Sequence, residues 1–403
     1  MVWMDSADDK KTFNALPLLA VGMPLREGLE RVVQAHRGAL VVMSDREEIL
    51  SICSGGFLLN TEFSPQRLAE LAKMDGAIVL SEDTSRISRA NVQLVPNHSI
   101  PTSETGTRHR TAERVAKATG VPVISVSAAM GIITLYEESR KHILRDRRYL
   151  FNQATQVIQT LTRFRQRFDL AVTSLSALEL EGVVTLRDVV STLQPAELVC
   201  RLADEVNGYL LELGDDGRLL KLQLDELATG VVEARNFIIQ DYVNTIDGTS
   251  KQVTSSTATS PTVDNRNLHL NGAPTDSIPT RAGQPAESII SISTQQALQS
   301  LQQMSTEYLA DLENIARIIK GKGEYSQLDN SVEPRGYRLL HRLSRIPDPV
   351  VDRIVEHFGS LQIIMRASQS SLEEVDGVGT NRASILRNGL ARLAEISILE
   401  RYE

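Results

Sequence analysis

Cysteine is nearly absent from the sequence: 403 residues hold two, Cys53 and Cys200, far apart. With no CxxC pair and no HxxxH cluster, ligand supply argues against a structural zinc site. A disulfide framework is equally unsupported, which fits a reducing compartment. Aromatic residues are scarce, at 4% with one Trp. No run approaches the ~18 consecutive apolar residues of a membrane span, so none is expected. The stretch 15–25 follows Lys10 and Lys11 much as a signal peptide's apolar segment follows its basic start. Asp5, Asp8 and Asp9 precede it, Pro17 and Pro24 interrupt it, and no small-residue cleavage site follows. A cytoplasmic location is therefore the expectation. Positive charge is also in deficit. Lys and Arg number 43 against 51 Asp and Glu, a net charge of −8. That balance argues against a chain that coats nucleic acid without specificity, while leaving room for donors placed locally in one small domain.

What the sequence does have is material for a core. The hydrophobic fraction is 41% and the charged fraction 23%, and the length suits two or three domains. Residues 24–36 (PLREGLERVVQAH) predict a helix: Pro24 suits its first position, and Leu25, Leu29, Val32 and Val33 share a face. Residues 38–43 (GALVVM) predict a buried strand. Residues 48–54 form a second apolar run, ended by the turn signal Gly55-Gly56. Ser64-Pro65 opens a helix through Ala72. Segments 76–81, 90–95, 122–127 and 132–136 predict strands, and 111–119 predicts a helix closed by Gly120. Short apolar strands interleaved with helices indicate an α/β domain over residues 1–146.

The pattern then becomes helical. Residues 147–181 contain no Gly or Pro, and Leu150, Ala154, Val157, Leu161, Phe164 and Phe168 recur at helical spacing, as one long helix or two in tandem. Residues 186–213 and 219–243 continue the tendency, with breaks expected at Pro195 and at 214–217 (GDDG). Residues 147–325 thus predict an all-α linking domain. Within it, 247–294 is rich in Ser, Thr, Asn, Pro and Gly, and a disordered insertion is expected there. Short helices return over 335–403.

Two clusters in the first domain carry chemistry. In 104–114 (ETGTRHRTAER), Arg108, His109, Arg110 and Arg114 crowd a predicted helix start just after Gly106. A helix N-terminus offers unpaired N–H groups and the positive end of the dipole. Arginines grip phosphate in bidentate fashion, and Thr107 and Thr111 add hydroxyls. A basic run at a helix start is as often a solvated surface, so the reading needs a second element. That element is 73–77 (KMDGA), where Asp75 precedes a strand through Gly76 and Ala77. A carboxylate there can hold a divalent metal or accept a hydroxyl proton; taken alone, it is an ordinary Asp-Gly turn.

Together with LREGLERVV, GALVV, RISRANVQLVPN and ISVS, these segments resemble the diadenylate cyclase domain over roughly residues 20–140. Its signatures, Asp-Gly-Ala and Arg-His-Arg, stand here as Asp75-Gly76-Ala77 and Arg108-His109-Arg110. The resemblance implies condensation of two ATP into cyclic di-AMP and two pyrophosphates, with Mg²⁺ or Mn²⁺. Asp75 would coordinate the metal and help activate the 3′-hydroxyl. Arg108, His109 and Arg110 would stabilise phosphate charge. Gly76, Ala77, Leu94, Thr107, Thr111 and Ser127 would line the nucleotide. Some relatives carry arginines directly after the serine, where Ala128, Ala129 and Met130 stand here. Because the product has two equivalent halves, the family arrangement is a two-fold, face-to-face dimer.

At the other end, 375–383 (VDGVGTNRA) carries the apolar-Gly-apolar-Gly turn of a helix-hairpin-helix. Gly377 and Gly379 permit a tight turn with N–H groups open to a phosphate, and Arg382 and Arg387 supply charge. Residues 345–368 read as a paired first copy with IPDPV at its hairpin. Arg335, Arg338, Arg342, Arg345, Arg353 and Arg366 are scattered through this α-helical domain and are expected mostly on solvated surface. The order of cyclase domain, helical linker and paired hairpins resembles a DNA-binding branch of the diadenylate cyclase family. That implies a homo-octamer in the cytoplasm whose synthesis is regulated by branched or junction DNA. The competing reading is a catalytically weak scaffold that binds nucleotide and DNA junctions. A repair nuclease or glycosylase is disfavoured, because no Lys/Asp pair adjoins the hairpin and no iron–sulfur cysteines exist.

Overall fold

The computed structural model describes residues 13–243, 293–321, 327–343 and 346–399. The chain forms two compact units, Met1–Leu175 with Ser191–Arg235, and Ser176–Val190 with Asn236–Glu403.

The first unit opens with α1 (Pro24–Gln34), β1 (Ala39–Val42), α2 (Glu47–Ser51), β2 (Cys53–Ser54), β3 (Phe57–Glu62) and α3 (Pro65–Leu71). It continues with β4 (Ala77–Leu80), β5 (Arg86–Leu94), α4 (Thr107–Thr119), β6 (Val123–Val126), β7 (Ile133–Glu137) and β8 (Arg140–Ile143). The apolar run 48–54 is thus divided between α2 and β2. The strands form one mixed sheet in the order β2-β5-β4-β1-β6-β7-β8, with β3 also paired to β5. β1 and β4 run parallel, while β1 and β6 are antiparallel. Alternation along each strand builds two apolar layers. Val41, Ile78 and Ile124 face α1 and α3 through Leu25, Leu29 and Leu68. Leu40, Val42, Val79, Val123 and Tyr136 face Ala112, Val115 and Ala116 of α4. Helices on both faces of a mixed sheet make this an α/β domain, as its pattern predicts.

The helical region follows as α5 (Arg147–Glu181), α6 (Leu186–Leu213), a 3₁₀ turn at Gly214–Gly217, α7 (Arg218–Ala228) and α8 (Val231–Tyr242). α5 is a single helix of 35 residues. α6 runs through Pro195 without ending, contrary to the expected break. Leu193, Ala196 and Val199 around it are fully buried, and that burial offsets the hydrogen bond a proline forfeits. Leu150, Ala154, Leu161 and Phe168 of α5 pack with Ala196, Val199 and Val206 of α6. Of the insertion predicted at 247–294, all but the last two residues lie outside the described residues.

The remaining helices are α9 (Thr294–Gln303), α10 (Thr306–Leu309), α11 (Leu312–Lys320), α12 (Tyr337–His341), α13 (Asp348–Phe358), α14 (Leu361–Arg366), α15 (Gln369–Glu373) and α16 (Thr380–Leu399). The second unit holds a buried polar network. Arg338, 3% exposed, pairs with the buried Glu179, which also accepts from the Tyr242 hydroxyl at 2.7 Å. Arg338 is therefore an internal residue, not the surface charge its sequence neighbours suggest. Asp241 caps α12, accepting the backbone N–H groups of Gly336, Tyr337 and Arg338 at 2.8, 2.7 and 3.0 Å. Burial, with the nearby Glu179, pushes its carboxyl up to about 7. Among the described residues no helix is long and apolar enough to cross a membrane.

Candidate active site

α4 starts four residues earlier than the apolar periodicity indicates, because Gly106, at φ +83°, turns the chain into it. Thr107, Arg108 and His109 therefore occupy its first turn, where backbone N–H groups have no partner within the helix. The helix ends at Gly120 in the left-handed conformation, as predicted. Asp75 sits at the mouth of β4. Gly76 follows it at φ +105°, and a Cβ there would lie 2.8 Å from the Asn91 carbonyl carbon and 3.0 Å from the Val92 nitrogen. Only glycine fits this crossing of β4 against β5.

The two signature segments meet. The Arg108 Nη2 atom lies 3.4 Å from Asp75 Oδ1, and the Asp75 side chain is fully exposed while Arg108 is 40% exposed. The Arg108 guanidinium reaches Asp75 across the backbone of Gly38, where a Cβ would come within 2.9 Å of Nη1. The sequence reading passed over Gly38 as the start of a strand, and the structure places its backbone against this guanidinium. Arg110 is exposed on the outer side of the first turn, and Thr107 is exposed with it, whereas Thr111 is half-buried. Arg114 turns elsewhere: its Nε donates to the Ile100 carbonyl at 3.0 Å and ties down the loop before α4. It does not join the phosphate-facing group the sequence suggests.

His109 is held from the sheet side. Its Nδ1 lies 3.0 Å from the Tyr136 hydroxyl. Burial lowers its pKa, with Lys141 and Arg108 acting in the same direction and Glu104 opposing. The Tyr136 phenol is raised, first by burial and then by the Glu104 carboxylate. Neither Tyr136 nor Glu104 was legible as a site residue: one sits in an apolar strand run, the other in a polar loop.

Ala77 is buried in β4 and Leu94 is 8% exposed at the end of β5, so both belong to the core beneath the site. Ser127 lies at the end of β6 and organises the next turn, its Oγ accepting from the Met130 nitrogen at 3.3 Å. Ala128, Ala129 and Met130 are exposed. Among the described residues no group of three or more His, Cys, Asp or Glu could hold a metal. Asp75 offers a single open carboxylate, which suits a Mg²⁺-like ion completed by substrate phosphates and water.

In the second unit, Gly377 turns at φ +85° and Val375 and Val378 are buried beneath it. Arg382 Nη1 donates to the Gly377 carbonyl at 2.6 Å, and Arg353 Nε donates to the Asp376 carbonyl at 2.8 Å. Both arginines therefore brace the turn. Gly379 is open, with nothing near the position of a Cβ, and Arg387 is exposed. Gly379, Thr380, Asn381 and Arg382 line a cavity of about 400 Å³ at the start of α16. Arg345 lies outside the described residues.

Comparison with known families accounts for this arrangement. Residues 26–141 match the family described as DisA bacterial checkpoint controller nucleotide-binding, and residues 144–269 match the DisA bacterial checkpoint controller linker region. DNA integrity scanning protein DisA of Kineococcus radiotolerans is 45% identical over 398 residues, covering 99% of both chains. The chain belongs to the DisA family. The DisA protein of Acidothermus cellulolyticus is 44% identical, covering 99% of this chain and 97% of its own, and that of Frankia alni is 46% identical, covering 96% of each. As a DisA family member the chain is a diadenylate cyclase, a nucleotidyltransferase, and Asp75 and the first turn of α4 lie inside its nucleotide-binding region.

Proposed function

We propose that this DisA family member joins two ATP molecules into cyclic di-AMP, releasing two pyrophosphates, and that its C-terminal helices bind branched or junction DNA in a way that regulates synthesis. The observation that carries the first half is the meeting of Asp75 and Arg108 at 3.4 Å on an exposed face. Each 3′-hydroxyl attacks the α-phosphate of the other nucleotide, and pyrophosphate leaves. Asp75 helps activate the attacking hydroxyl by accepting its proton as the new O–P bond forms. Arg108, His109 and Arg110, with the N–H groups that open α4, hold the phosphates and stabilise the charge that develops on them. Gly76, Thr107, Thr111 and Ser127 shape the nucleotide cleft, with Ala77 and Leu94 in the core beneath it. Asp75 would hold Mg²⁺ or Mn²⁺, which neutralises phosphate charge when bound.

One chain supplies one such carboxylate, whereas the product has two equivalent halves. Two copies facing each other across a two-fold axis complete the reaction, and the family resemblance extends this to an octamer. For DNA, support comes from the Gly377–Gly379 turn at the start of α16. A buried Val378 fixes the turn while Gly379 stays open, which is the arrangement a helix-hairpin-helix uses to meet a phosphate. The catalytically weak scaffold remains the second reading, favoured by the exposed, uncharged Ala128-Ala129-Met130. Incubation with ATP and Mg²⁺ or Mn²⁺, with mass detection of products and with or without junction DNA, tests all of this. Cyclic di-AMP that falls on addition of junction DNA supports both halves. No cyclic product with either metal favours the scaffold.

A further inference from the structure

The residues that face the nucleotide are only part of the site, because His109 is held by a chain that starts in the sheet. Tyr136 of β7 is directly opposite Lys141 of β8 in the antiparallel register. Lys141 pairs with Glu104 at 2.5 Å, and Glu104 is 13% exposed. The Glu104 carboxylate acts on the Tyr136 hydroxyl by its charge. Tyr136, 1% exposed, in turn meets His109 Nδ1 at 3.0 Å, with the two rings edge to face. The other ring nitrogen, Nε2, is enclosed and has no hydrogen-bond partner.

A phenol has one proton to give and an imidazole has two nitrogens, so the direction of this chain decides which histidine nitrogen carries hydrogen. We propose that Tyr136 is a positioning residue for His109: its proton is drawn to Glu104, its oxygen accepts Nδ1–H, and Nε2 is left as the unprotonated nitrogen of the free enzyme. The inference rests on the cyclase reading above, in which His109 belongs to the phosphate-binding group. Lys141 and Glu104 then act as the outer anchor. Lys141 holds Glu104 in place, Glu104 orients the phenol, and the phenol prevents the imidazole from flipping. The ring thereby enters catalysis with one tautomer and one orientation, and Nε2 is the enclosed nitrogen without a hydrogen-bond partner in the free enzyme.

The test uses full-length protein labelled with ¹⁵N at histidine only. Solid-state spectra identify the His109 signals by their loss in His109→Gln, and steady-state synthesis of cyclic di-AMP is measured in parallel. The wild type is expected to show His109 protonated at Nδ1 and unprotonated at Nε2. Tyr136→Phe removes only the hydroxyl; it is expected to redistribute the tautomer and to lower kcat/KM for ATP roughly ten- to a hundredfold, the usual cost of removing the partner that orients a ring. Glu104→Gln keeps the phenol and is expected to give a mixture of tautomers with a smaller loss; it decides the matter if Tyr136→Phe does not fold. A wild-type His109 protonated at Nε2, or a folded Tyr136→Phe with wild-type spectrum and kcat/KM, overturns the proposal. If the wild type makes no cyclic product, the cyclase reading falls, and the spectra alone still decide what Tyr136 does.

Discussion

Replacing Gly38 with alanine perturbs the site without substituting a residue that meets the nucleotide. The added Cβ would lie 2.9 Å from Arg108 Nη1 and 3.1 Å from its Cζ, against the 3.4 Å at which ordinary contact begins. The guanidinium must therefore move by about half an ångström, which takes up much of the margin left in its 3.4 Å approach to Asp75. The nearest backbone neighbour among the described residues is the Val126 carbonyl oxygen at 3.2 Å, which needs to yield a few tenths of an ångström. Gly38 has no positive φ, so alanine is not strained there, and its lower unfolded-state entropy contributes about 0.4–1 kcal/mol of stability. The fold should hold. Catalysis should not, since a misplacement of 1 Å costs on the order of a hundredfold and half of that roughly tenfold. The assay is a cycle: kcat/KM for cyclic di-AMP in Gly38→Ala, Arg108→Ala and the double variant, with thermal melts of each. If Gly38 acts through Arg108, the double variant is no worse than Arg108→Ala alone. Full additivity, or a Gly38→Ala enzyme within twofold of wild type, would refute the reasoning.

Other outcomes follow from the same geometry. Asp75→Asn, at a fully exposed side chain, should abolish synthesis, leave DNA binding intact and leave the melting temperature unchanged, which activity, gel-shift and calorimetric measurements check. Gly377→Ala forces a side chain into φ +85° and against Arg353 Nη2 at 2.6 Å; it should destabilise the second unit by about 1–2 kcal/mol and weaken junction binding with basal synthesis retained. Asp241 carries a pH signature. Its folded carboxyl titrates at about 7 against an ordinary 3.8, so the folded state keeps a proton that the unfolded state releases. Stability relative to Asp241→Asn should fall as pH rises from 4 to 7 and level off above that. Denaturant melts across this range that show a constant difference would count against the buried, proton-holding carboxylate.

The frame of the first unit was legible because its strands are short apolar runs with clear turn signals, and α1 and α4 show helical spacing. β3 and β8 were not. β3 leaves Phe57 and Leu58 largely exposed and so lacks alternation, while β8 (RKHI) is a polar edge strand. The motif residues Asp75 and Arg108 were legible as two clusters, and the fold brings them together through the parallel pairing of β1 with β4. Gly38, Glu104 and Tyr136 were invisible for the converse reason. Each matters only through a partner 27 to 70 positions away, and local pattern carries no trace of such pairings. Arg114 and Arg338 show the limit of reading charge from composition: one ties a loop, the other is buried against Glu179.

The route of the chain has a consequence for how the protein is made. Val184 and Leu186, at the junction of α5 and α6, exchange backbone hydrogen bonds with Val332 and Asn330, and Glu179 near the end of α5 waits for Arg338. During synthesis, residues 176–190 therefore leave the ribosome more than a hundred positions before the partners that complete their core. Nor can the last third of the chain be trimmed away cleanly. A cut placed before residue 328 strands a buried glutamate and a set of open backbone groups where one long helix gives way to the next, so any shortened version should be recovered as a protein dependent on chaperones.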